Sequence, residues 1–233
     1  MLSSKIKTYL NTIKEEFESH SNPKIAAEQK AYLKDKFEFF GIKTPKRREI
    51  QKPFLSKDFL PQKSELTELV KILWQKPQRE YHHFAQELVF KFRKELEKED
   101  IALLEFMILN NSWWDTIDFI APKLVNQYFK TFPTERDFYI EKWIESGNIW
   151  LQRSAILFQL KDKEKIDVHL LVSVIRSLIP SNEFFINKAI GWILREHGKT
   201  NPDWVIRFVE NNENELSNLS KREALRIIKK KNN

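Results

Sequence analysis

The residues in this chain best suited to chemistry are two tryptophans, one aspartate and two arginines, spread over three segments. Trp114 and Asp118 stand four apart in NSWWDTIDFIAPKL (residues 111 to 124), so a helix would set them one turn apart on one face. Arg153 lies in GNIWLQRSAILFQL (147 to 160). Trp192 and Arg195, three apart on one helical face, lie in NKAIGWILREHGK (187 to 199). Taken singly, each has an ordinary structural reading. An acid early in a helix favours the helix dipole, and Asp115 fits that description fully. Arg153 reads as a surface or repeat-stacking cation, and Trp192 as a core residue.

Gathered around one groove, the same five residues have a chemical logic. Alkylation at N3 or N7 makes a purine cationic and weakens its glycosidic bond. Indole faces attract such a cation by about 0.5–2 kcal/mol each. Cleavage of the bond develops oxocarbenium character on the sugar, as in glycoside hydrolysis. A fixed carboxylate beside that carbon would stabilise the charge and orient or deprotonate the attacking water. Guanidiniums would grip the flanking phosphates. Neither a metal nor a cofactor is required.

The elements that must position these residues are helices. Apolar residues recur at helical spacing, as in Leu66, Leu69, Val70 and Leu73, or Val205, Phe208 and Val209. Breaks fall at Pro23, Gly41 to Pro45, Pro53, Pro61, Pro77, Pro133, Gly147, Pro180, Gly198 and Pro202. No block of alternating residues demands a sheet, and the predicted fold class is all-α. Ala85, Ala121, Ala155, Ala189 and Ala224 are spaced 36, 34, 34 and 35 apart, with large apolar residues three or four positions after each. A period near 35 suits a two-helix solenoid unit that buries its apolar face only by stacking on the next. Corresponding helices would then line one concave wall, which brings the three segments together. Pro122 is the misfit, requiring a helix start or a kink. No linker divides the chain. It reads as a single domain over residues 1 to 233, with residues 1 to 40 as an N-terminal helical cap and the terminal KKKNN as a solvated tail.

The composition narrows the possible functions. With 40 Lys and Arg against 33 Asp and Glu, the net charge is +7 and the pI about 9.3, which favours an anionic partner, nucleic acid before membrane surface. Four glycines are too few for most phosphate-binding loops. The absence of cysteine excludes disulfides, thiolate nucleophiles and cysteine-ligated zinc or iron–sulfur clusters. The N-terminal residues hold no apolar signal core, and no stretch approaches the roughly 18 apolar residues of a bilayer span. The expectation is a cytoplasmic protein with no membrane contact. His82, His83, His169 and His197 lack ligand-spaced partners and read as surface or capping residues. Lys43, Lys46, Arg47 and Arg48 form the densest basic cluster, equally suited to a phosphate-contacting loop or a solubilising turn. Trp74, Trp143, Trp150 and Trp204 sit at core spacing. Trp113 is ambiguous, since it must point away from its neighbour.

SWWDTID (112 to 118), WLQR (150 to 153) and GWILREHGK (191 to 199), in that order, resemble the AlkD-type DNA alkylation-repair glycosylases, and the likeness runs over nearly the whole chain. The resemblance implies a right-handed solenoid of HEAT-like two-helix repeats with a concave DNA-binding face. It also implies a monofunctional glycosylase that excises N3- and N7-alkylated purines from double-stranded DNA without flipping the base into a pocket. Carried over, it makes Trp114 and Trp192 the active-site tryptophans, Asp118 the catalytic aspartate, and Arg153 and Arg195 the DNA-gripping arginines. Tyr32 would be a further cleft residue, and Lys46 and Arg47 the basic-cluster residues expected on DNA. A monomer is the natural form for a groove that wraps a duplex. Two rivals remain open: a non-catalytic solenoid that recognises damaged or branched DNA, and a protein-interaction scaffold.

Overall fold

The computed structural model describes residues 4–231, and the side chains of the basic tail from residue 229 onward lie outside that description. The described residues are helical throughout, apart from connections and one isolated β-bridge between Glu38 and Gln78. No helix among them is long and apolar enough to cross a membrane. The chain forms two compact units, residues 1–96 and 97–233.

The first unit holds α1 (Ser4–Ser19), α2 (Pro23–Tyr32), α3 (Thr44–Gln51), α4 (Leu66–Trp74) and α5 (Arg79–Lys91). In α1 the buried face is Ile6, Ile13 and Phe17, spaced by seven and four as helical periodicity requires. Asn22 caps α2 by accepting from Ile25 N (3.1 Å), and Pro23 takes the first turn, where its missing N–H costs nothing. The connection after α2 is pinned from below. The buried Glu80 carboxylate accepts the backbone N–H groups of Phe40, Gly41 and Ile42 at 3.0–3.1 Å. Gly41, with φ +89°, is obligatory there, because a Cβ would lie 2.0 Å from Asn22 O. Of the surface and capping roles open to His82, it does not take the surface one. It is 1% exposed, and its ring nitrogens meet Arg79 Nη1 (2.9 Å) and Lys76 O (3.0 Å). The arginine can only donate, so the network assigns the neutral tautomer with the proton on Nε2.

The second unit holds α6 (Ile101–Leu109), α7 (Trp114–Ile120), α8 (Asn126–Thr131), α9 (Pro133–Glu145), α10 (Ile149–Leu157), α11 (Val168–Leu178), α12 (Phe184–His197), α13 (Pro202–Asn211) and α14 (Asn218–Lys231). Sequence signals set these boundaries. Asn148 caps α10 by accepting from Trp150 N and Leu151 N, Asp167 caps α11 by accepting from Leu170 N, and Pro133 and Pro202 open α9 and α13. The helices pack in pairs: α9 and α11 against α10, α13 against α14, and α10, α12 and α14 in series.

The five spaced alanines are all buried, at 0–1% exposure. They lie on α5, on the segment joining α7 to α8, and on α10, α12 and α14, where the small side chain lets neighbouring helices approach. At Pro122 the disturbance takes a specific form. The helix neither starts nor stops there but runs from α7 into α8 through a π-helical segment, Ala121–Val125. Asn126 N reaches Ala121 O, five residues back, so the wider turn carries the helix past a proline that cannot donate.

Candidate nucleic-acid site

Trp114, Asp118, Arg153, Trp192 and Arg195, which the sequence scatters over 82 positions, line one cavity of about 350 Å³ in the second unit. Phe184, Phe185 and Lys188 complete its lining. The entry to α7 sets the first two. Asn111 turns the chain through φ +48°, and Trp113 is extended just before the helix. Trp113 packs edge-on to Phe185 (5.2 Å) and tilted against Trp150 (5.6 Å). With that indole committed to the wall, Trp114 is the one left to line the cavity. Asp115 sits in the first turn of α7, as a dipole-complementing acid should.

Asp118 is half-buried, its side chain 19% exposed, and is gripped from α10. Arg153 donates to it from Nε (3.0 Å) and Nη2 (2.8 Å), and both bonds land on Oδ1. Oδ2 has no protein partner among the described residues and is left for the cavity. Burial holds the Asp118 carboxyl above the usual aspartate range, and Arg153 pulls it only part of the way back. The third arm of Arg153, Nη1, donates to Phe185 O at 2.6 Å, which ties α12 to the same guanidinium. Arg153 is 3% exposed. It is therefore not displayed toward solvent, as the expected phosphate contact required.

On α12, Trp192 and Arg195 share the cavity face, and Gly191 beside them is a contact point. A Cβ at Gly191 would lie 2.5 Å from Glu223 Cβ and 2.9 Å from Ser220 O, so only glycine allows α14 this close. Glu223 of α14 pairs with Arg195 and takes Lys188 Nζ at 2.7 Å, with Arg226 3.6 Å away. Burial pushes its carboxyl up, but Lys188, Arg195 and Arg226 outweigh that and hold it below the ordinary glutamate range.

Lys188, Glu223, Phe184 and Phe185 were not singled out from the sequence, and for the first two a usable signal existed. Asp118, Arg153, Lys188 and Glu223 are each 35 residues apart. Bonds join the first to the second and the third to the fourth, so they form a charge ladder at the repeat period. A search for opposite charges one period apart would have found both pairs.

The remaining expected DNA contacts lie in the first unit. Tyr32 ends α2 and is 68% exposed. Lys46 is exposed and paired with Glu49 at 2.7 Å. Arg47 is 3% exposed, donating to Gln51 (2.8 Å) and Glu87 (3.1 Å), so of the two readings of its cluster it fits neither a solubilising residue nor an open phosphate contact. Trp74, Trp143 and Trp150 are buried, and Trp204 stacks on Phe208 at 5.0 Å.

A model of the family described as DNA alkylation repair enzyme matches residues 13–228. A solved structure described as a predicted DNA alkylation repair enzyme from Enterococcus faecalis aligns with TM-score 0.81 and 32% identity, over 88% of this chain and 95% of that one. No curated protein matches.

Proposed function

The chain belongs to the DNA alkylation repair enzyme family, and from that premise we propose that it is a monofunctional DNA glycosylase of the AlkD type. It hydrolyses the N-glycosidic bond of N3- and N7-alkylated purines in double-stranded DNA. The observation that carries this reading is Asp118, held by Arg153 through one oxygen while the other is left for a cavity that Trp114 and Trp192 also line.

In the reaction the C1′–N bond breaks and its electron pair leaves with the base, which neutralises the alkylated purine. Positive charge builds on the sugar, and Asp118 Oδ2 is the carboxylate oxygen that would face it. A water adds to C1′ and gives up a proton, which the same oxygen can accept. The indoles hold the cationic base until it leaves. Arg153 acts through Asp118, fixing its rotamer, rather than on phosphate. The buried, evenly spaced alanines support HEAT-like repeats, and action as a monomer on the duplex is part of the same proposal.

The test is chromatographic measurement of 7-methylguanine and 3-methyladenine released from methylated duplex DNA. Wild-type protein is expected to release one or both, and Asp118→Asn to lower the rate at saturating DNA by about two orders of magnitude or more. DNA binding without release by the wild type would overturn the reading in favour of a non-catalytic DNA-binding protein.

A further inference from the structure

The last member of the charge ladder has no place in the chemistry above. Glu223 is 5% exposed and lies beneath a surface that, on the proposed reading, meets a polyanion. An acid there opposes DNA binding by simple electrostatics. What it does in the structure is gather cations. Lys188 Nζ, Arg195 Nη1 and Arg226 Nη1 all converge on it, from two helices, and leave an excess of two positive charges. Lys188 and Arg195 also line the cavity with Asp118 and Trp192. The rest of the Arg195 donor fork has no protein partner among the described residues. Arg226 opens onto a neighbouring concavity that it shares with Lys221 and Arg222, continuing the positive surface along α14.

Long cationic side chains ordinarily lose rotamer freedom when they bind phosphate. A buried carboxylate that already holds them removes that loss from the binding step. Gly191 is part of the device, since it alone lets Glu223 Cβ and the Ser220 backbone approach α12 this closely.

We propose that Lys188, Arg195 and Arg226, gathered on Glu223, form a clamp for one phosphodiester of the substrate strand at the rim of the cavity, with Glu223 as its positioning residue. This rests on the glycosylase reading for its consequence in catalysis, but not for its consequence in binding.

The two roles open to Glu223 predict opposite signs. A bystander acid, replaced in Glu223→Gln, would leave DNA binding tighter and the rate at saturating DNA unchanged. A positioning residue would leave binding no tighter and lower that rate about tenfold or more. Binding of undamaged duplex DNA is measured by fluorescence anisotropy over a series of salt concentrations, and base release by single-turnover assay on methylated duplex. Lys188→Ala and Arg226→Ala, whose side chains are at least one-third exposed, provide variants that do not depend on a buried substitution. Each is expected to reduce the slope of log K against log salt, Lys188→Ala by about one. Unchanged slopes in both, or tighter binding at an unaltered rate in Glu223→Gln, would overturn the clamp. Absence of base release by the wild type would instead sink the glycosylase reading, and the salt slopes would still decide the clamp.

Discussion

Asp118 takes both hydrogen bonds from Arg153 on a single oxygen, and that asymmetry sets what its neighbours can do to it. Base release on the proposed mechanism needs Asp118 ionised. Burial holds its carboxyl above the ordinary aspartate value of about 3.9, so the acid limb of the rate profile should lie above that value. Arg153→Ala removes an influence that lowers the pKa, so the limb should move to still higher pH, as single-turnover rates measured across pH would show. A limb that stays in place would deny Arg153 its hold on Asp118. The same substitution leaves a carboxylate half-buried without its partner. Breaking a fully buried pair costs about 3–5 kcal/mol, and a side chain still 19% exposed belongs toward the low end. The sign with pH is definite. A carboxyl with a raised pKa burdens the fold when ionised, so the thermal-stability deficit of Arg153→Ala should shrink as acid protonates Asp118.

At the level of elements, α12 is the helix on which the site depends. It carries Trp192 and Arg195 on one side, and its Phe185 carbonyl receives Arg153. Gly191 lets α14 close against it. Elsewhere in a helix, Gly→Ala gains up to about 1 kcal/mol from propensity. Here the new methyl meets backbone and Cβ atoms at 2.5–2.9 Å, so Gly191→Ala is expected to destabilise by about 1–3 kcal/mol. In a chain of 233 residues that lowers Tm by a few degrees. A calorimetric Tm equal to or above that of the wild type would show that α14 can step back at no cost. Helix identity was readable here from apolar spacing, and two boundaries from Pro133 and Pro202, because first-turn prolines are local chemistry; the caps Asn148 and Asp167 were not singled out. The α12–α14 approach was not readable. It depends on Ser220 and Glu223, 29 and 32 positions on, lying opposite Gly191, and local patterning carries no such information.

Across the whole molecule, the buried alanines show how far the sequence reached. Their spacing marked buried, closely packed positions at the repeat period, and the same period brought Trp114, Asp118, Arg153, Trp192 and Arg195 to one cavity. What it could not assign was the display of each side chain. Arg153 and Arg47 were expected on phosphate, yet both guanidiniums are covered and bonded to acids, Asp118 and Glu87. A basic residue looks alike in sequence whether it serves a partner or a neighbour. Pro122 was legible only as a disturbance, because proline forbids a donor without saying how the backbone will respond. The response, a π-helical stretch over Ala121–Val125, fixes a rotational phase. Upstream of it the helix turns Trp114 and Asp118 to the cavity, and downstream it turns Tyr128 and Phe129 into the core. Deleting one residue from the stretch would let the helix close in regular α turns and rotate one half against the other by about 100°. Circular dichroism should then report undiminished helix while base release disappears, since the core half would keep its seat and the half bearing Asp118 would point elsewhere. A deletion that leaves excision intact would mean the wide turn is only a tolerated proline. On the expected result, those five residues act as the keyway that times one end of the shaft to the other.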